Sequence, residues 1–169
     1  TVAVRFVFPA VSAEGAAFWI IRTAPISLED FLWSKFWTGL VPVLALTEAL
    51  TIAANELLGV DPLMKAIAAV TIVFMSVALV GLATGFGARY PRFGADTTQV
   101  AGSYGGVAFM ILAVLYILVM IALVGWPSSL YLFQRVRRVP LSAVRQTLMV
   151  ACYVAAAGMS LGIWWWSMR

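Results

Sequence analysis

Histidine is absent from the 169 residues, cysteine occurs once, and charged side chains make up only 11% of the chain. Each shortage removes a class of chemistry. Without an imidazole there is no Ser/His/Asp or Cys/His nucleophile system and no His-based zinc site, and Cys152 alone forms neither a disulfide within the chain nor a CxxC redox pair. No phosphate-binding loop of the form GxxxxGK[ST] occurs, and the glycines of Gly102-Ser103-Tyr104-Gly105-Gly106 lack the lysine and the spacing that such a loop requires. Nothing in the composition calls for a cofactor. The net charge of +4 is modest and its arginines are scattered, so anionic lipid headgroups suit it as partners better than nucleic acid does.

What the chain has in excess is apolar surface. The apolar fraction is 63%, and it comes in long blocks rather than in stripes. A spanning helix needs about 20 largely apolar residues, since roughly 30 Å of hydrocarbon is crossed at about 1.5 Å per residue. Four stretches meet this, over about residues 36–58, 64–88, 105–124 and 146–166. The expected fold is an all-α membrane protein with about four transmembrane helices.

Tryptophans mark the boundaries, with Trp33 and Trp37 entering the first span, Trp126 leaving the third, and Trp164, Trp165 and Trp166 closing the fourth. The connection from Gly59 to Leu63 is short enough to force an antiparallel hairpin, and Pro42 is expected to kink the first span. Ahead of that span, residues 12–23 (SAEGAAFWIIRT) are too few to cross the bilayer but place Ala17, Phe18 and Ile21 on one side of a helix, as an interfacial helix does. Pro25 ends it, and Ser27 with Asp30 offers a cap for the helix that follows. Asp96 with Gln99 is another candidate cap. The third connection, Trp126 to Arg145, carries Arg135, Arg137, Arg138 and Arg145 and reads as a solvated or headgroup-binding loop. Charge does not orient the chain: Arg5, Arg22, Lys35, Arg89, Arg92 and Arg169 fall on one side, Lys65 and the four arginines of the third connection on the other.

Within the spans the informative polar residue is Glu48, because an ionised carboxylate at mid-bilayer costs several kcal/mol unless it is paired, hydrated or protonated. Thr51 and Asn55 follow three and seven residues on, placing all three on one helical face, either satisfied by neighbouring helices or forming part of a substrate route or interface. Gly81 and Gly85 form a GxxxG pattern suited to close helix packing.

The run Arg5-Phe6-Val7-Phe8-Pro9-Ala10-Val11-Ser12-Ala13-Glu14-Gly15, continued by Phe18 to Ser27 and by Trp33-Ser34-Lys35-Phe36, resembles the permease of a bacterial ATP-binding cassette exporter of the class called type V, or ABC-two. A second patch, Gly85 to Phe93 with Gln99 to Gly106, resembles a branch of exporter permeases. The resemblance implies a six-helix half-transporter in which residues 12–23 are the coupling helix between the second and third helices. Glu14, Phe18, Trp19, Ile21 and Arg22 would then contact an ATPase subunit, the Pro25 turn would join the coupling helix directly to the first span, and the spans here would be helices three to six of a longer chain, consistent with a start at Thr1. It further implies a second permease half, location in the bacterial cytoplasmic membrane, and ATP hydrolysis on a separate subunit or domain rather than on this chain. The arginine-rich third connection departs from the family, where that region faces outside and often holds short re-entrant helices. Other readings are a non-catalytic membrane scaffold and a proton-linked secondary transporter using Glu48; an intramembrane hydrolase lacks both histidine and paired aspartates.

Overall fold

The computed structural model describes residues 7–10, 12, 27–90, 99–100, 102–137 and 143–169. The side chains of residues 28, 134–137 and 143 are not among those described. Four helical stretches are long and apolar enough to cross a membrane, Glu29–Leu57, Pro62–Arg89, Tyr104–Phe133 and Val144–Met168, and the described residues contain no strand. The protein is an all-α membrane protein with about four spans, four of them among the described residues.

Helix α1 (Leu28–Leu57) starts where Ser27 caps it: the Ser27 side chain accepts from the Asp30 amide at 3.1 Å and donates to the Asp30 carboxylate at 2.7 Å. It runs on through Pro42, which is exposed. Its end is a Schellman turn, in which Val60 N–H donates to the carbonyl of Asn55 and Gly59 N–H to that of Glu56. Gly59 takes φ +59°, a conformation that a side chain disfavours. Asp61 and Pro62 then open α2 (Pro62–Arg89), with proline at a position that has no helical partner for its nitrogen anyway. Lys65 meets Glu56 at 2.6 Å close to this turn, and Thr47 meets Ser76 at 3.2 Å further from it along both helices, so α1 and α2 are antiparallel.

Helix α3 (Tyr104–Met120) is capped by Ser103, whose side chain accepts from the Gly106 amide. It passes through a π turn, Ile121–Gly125, directly into α4 (Trp126–Arg137). Here the structure departs from the expected third connection, since residues 126–137 are helix. Pro127 accounts for the π turn that precedes this helix: in an α-helix its ring would meet the carbonyl of Leu123, and the π turn opens the helix just ahead of it. Ser128 Oγ donates to the carbonyl of Val124 at 2.7 Å, in the first turn after the π turn. Helix α5 (Ala143–Met168) completes the bundle.

Helix α2 is the hub. It packs on α1, α3, α5 and the short 3-10 turn Phe8–Ala10, and a third (33%) of its most apolar window is buried, against 17% for α1 and for α5. The pairings Gly81 with Trp164 and Gly85 with Ser167 advance together, so α2 and α5 run parallel. Tyr116 with Ser160 (2.8 Å) and Ser128 with Tyr153 (2.9 Å) run oppositely, so the α3–α4 rod is antiparallel to α5. The first end of the bundle therefore gathers Ser27, Tyr90, Ser103 and Met168. The second gathers the α1–α2 turn, α4 and the start of α5, and there Tyr131 donates to Asp61 at 3.3 Å.

The Gly59 turn and the open surroundings of Gly158 make opposite predictions. Gly59→Val is expected to lower stability by roughly 1–2 kcal/mol because it forces a β-branched residue into the left-handed region. Gly158→Ala, in mid-helix with no neighbour close to where the added methyl would stand, is expected to hold or raise stability by about 0.5–1 kcal/mol. Thermal denaturation in detergent by loss of helical signal checks both.

Candidate functional site

The coupling residues expected from the sequence, Glu14, Phe18, Trp19, Ile21, Arg22 and Pro25, lie outside the described residues, as does Asp96. Their flanks are described. Phe8 is fully buried, its ring stacked on Phe109 at 5.8 Å, and its carbonyl oxygen would stand 2.5 Å from a Cβ placed on Gly87. Val7 packs against α1 at Gly39. Residues 7–10 are thus wedged among α1, α2 and α3 at the first end, the end at which Ser27 also begins α1. Sequence reasoning gave Val7 and Phe8 no structural role, although Gly87, just beyond the GxxxG pair with Phe86 between, was a signal that something approaches α2 closely.

Gly81 and Gly85 lie where α2 meets α5. A Cβ on Gly81 would stand 2.8 Å from Cδ1 of Trp164, and one on Gly85 would collide with the backbone oxygen and Oγ of Ser167. In lipid no hydrophobic force drives helices together, so backbone proximity and the contacts it permits supply the attraction. Ser167 Oγ uses that proximity to donate to the carbonyl of Gly81 at 2.6 Å. Trp164 in turn contacts Trp33 at 6.0 Å and Phe36 at 6.3 Å between ring centroids. With Arg89 over the ring of Trp166 at 5.3 Å and Arg169 over Trp165 at 3.7 Å, an aromatic and basic girdle on α1, α2 and α5 marks the first end.

Glu48, Thr51 and Asn55 are all half-buried on α1, while Leu50 and Ile52 between them are exposed. Thr47 pairs with Ser76 of α2, which turns this stripe towards the neighbouring helix. Thr51 gives its hydroxyl proton to the carbonyl of Thr47. Oε1 of Glu48 is buried and has no hydrogen-bond partner among the described residues. The three residues share one face of the span, but no hydrogen bond joins their side chains to one another.

Between α2, the π turn and α5 lies a half-open cavity of about 280 Å³, lined by Ala66, Val70, Phe74, Val124 and Ala157 among others. Its two hydroxyl groups are already engaged, Thr71 with the carbonyl of Ile67 and Tyr153 with Ser128. The described residues contain no cluster of His, Cys, Asp or Glu that could hold a metal ion. The arrangement offers helices in close apposition, one buried carboxyl oxygen and an apolar recess.

The model of one protein family, described as "Putative ATP-binding cassette", matches residues 1–169. The chain belongs to that family. Neither the curated proteins nor the solved structures gave a match. This ATP-binding cassette-related chain therefore joins two facts on one polypeptide: membership along its whole length, and four membrane spans.

The Thr47–Ser76 pair is expected to contribute about 0.6 kcal/mol, the usual size of an interhelical hydrogen bond in a membrane. A double-mutant cycle of Thr47→Val and Ser76→Ala, read by denaturation in detergent, measures it. A coupling energy near zero would mean that the half-buried stripe of α1 is not held against α2 by this contact.

Proposed function

We propose that the chain is the membrane-spanning permease part of an ATP-driven exporter, transmitting ATP hydrolysis on a partner subunit or domain to a substrate pathway. The observation that carries this reading is that a chain matched throughout by an ATP-binding cassette family consists of apolar spans and holds no phosphate-binding loop. Its part in such a system is then the membrane part, and ATP is bound and hydrolysed elsewhere.

Residues 12–23 serve as the coupling helix in this reading. A lever needs both of its ends fixed to the body it moves. Phe8, wedged under α1, α2 and α3, and Ser27, capping α1, provide fixed points on either side at the same end of the bundle. ATP-driven closure of two ATPase units would push Phe18 and Trp19, and the motion would reach α1 through the Pro25 turn. The girdle of Trp33, Trp164, Trp165 and Trp166 with Arg89 and Arg169 then faces the cytoplasm. The host is the bacterial cytoplasmic membrane, and a second permease half completes the pathway.

A second reading is favoured by one observation, the buried and unpartnered Oε1 of Glu48. It makes the protein a proton-linked secondary transporter. Transport that depends on a pH gradient, continues without ATP and is lost in Glu48→Gln would establish it in place of the exporter. A scaffold role predicts neither dependence.

For the exporter, the test is affinity capture of the full-length protein in detergent, comparing wild type with Phe18→Asp/Trp19→Asp and assaying the eluate for ATPase activity. An ATPase is expected with wild type, and at least a tenfold loss, about 1.4 kcal/mol or more of affinity, is expected in the variant. If no ATPase accompanies a wild-type protein that has no ATPase domain of its own, the exporter reading fails.

A further inference from the structure

We infer that the recess between α2, the π turn and α5 holds an acyl chain of an anionic phospholipid whose headgroup lies at Arg145. Three features of the recess converge on this occupant. Its lining is apolar, and the protons of both its hydroxyls are spent on protein partners, so it offers no free donor to a polar ligand and suits an alkyl chain. Its length fits one leaflet: Ala66 lies near the start of α2 at the second end and Phe74 near its middle, about 12 Å apart along the helix, against roughly 15 Å of hydrocarbon per leaflet. The recess therefore runs along the bilayer normal from the headgroup layer towards the midplane, as an acyl chain does.

The third feature is charge. Arg145, Met149 and Ala156 fall on one stripe of α5, at spacings of four and seven residues, and Ala156 lines the recess. Met149 is buried and Arg145 exposed, so the stripe passes from the recess to a guanidinium about 12 Å beyond Tyr153, at headgroup height. A guanidinium there favours a phosphate carrying net negative charge over a zwitterionic headgroup. The inference does not depend on the exporter reading: the site follows from the spans, the recess and the arginine alone.

The experiment uses the full-length protein in lipid nanodiscs, doped with phosphatidylglycerol or phosphatidylcholine bearing a photoactivatable diazirine on one acyl chain. Adducts are then mapped by mass spectrometry. Labelling is expected to concentrate on residues 66–74 and 153–157 rather than on the exposed face of α3 from Met110 to Leu118, with phosphatidylglycerol preferred. Arg145→Gln, a surface change, is expected to lower that preference about fivefold, the effect of one basic residue near a membrane surface, while leaving acyl labelling in place. Ala157→Trp is expected to remove the labelling by filling the recess, and Val70→Phe serves if that variant does not fold. Labelling spread over α3 and the recess alike, or absent from the recess while α3 is labelled, overturns the inference. The latter is the result if another protein segment covers the recess. A phosphatidylglycerol preference unchanged in Arg145→Gln overturns the assignment of the headgroup.

Discussion

The close approach of α2 to α5 at Gly81 and Gly85 is the constraint on which the bundle depends. Because lipid is as apolar as leucine, four apolar helices gain little by merely touching, and the gain lies in how many atoms reach contact distance. Two absent side chains on α2 bring the backbone of Ser167 and the indole of Trp164 into that range. From there the arrangement propagates: Trp164 sets the position of Trp33 and Phe36 on α1, and Ser167 fixes the axial register through the carbonyl of Gly81. The hydroxyl pairs Tyr116–Ser160 and Ser128–Tyr153 then hold the α3–α4 rod in register with α5. At about 0.6 kcal/mol each, such bonds select among alignments more than they hold the helices together.

The parts of the fold legible in the sequence are those governed by local rules. Hydrocarbon thickness gave four spans, the Ser27/Asp30 cap and the Gly59–Leu63 turn were visible as residue types, and tryptophans stood where a girdle was needed. What escaped involved partners distant in the chain. The wedge of Phe8 beneath α2 pairs residues about eighty positions apart, and neither Phe8 nor Gly87 names the other. The Tyr131–Asp61 contact has the same character. Residues 126–137 read as a loop because Trp-Pro-Ser-Ser followed by arginines has the composition of one. The π turn that lets helix persist past Pro127 leaves no mark in a stretch reading Ile-Ala-Leu-Val-Gly.

The candidate site divides on the same line. Glu48, Thr51 and Asn55 were recognisable because polar residues in an apolar span are few, and the structure keeps them half-buried on one stripe. The apolar recess carried no such signal, since its lining residues are indistinguishable in sequence from those facing lipid. Its existence depends on how far apart α2 and α5 stand beyond the glycine contact. The helices touch most closely near the first end, where Gly85 meets Ser167, and the recess occupies the other half of the same interface.

The π turn at Ile121–Gly125 acts as a phase shift. One residue more per turn offsets the azimuth of everything after it by about 100° relative to an uninterrupted α-helix. Phe109, Ala113, Tyr116 and Met120 keep a common inward heading before it, and Tyr131 takes up a new heading after it, towards Asp61. A single rod thereby addresses two neighbours in succession: the bundle core at mid-depth, and the tip of the α1–α2 hairpin at the second end. Deleting one residue within 121–125 would leave the rod's length nearly intact while turning its outer third to face elsewhere, so the direction of that third is set by the shift rather than by any side chain in it.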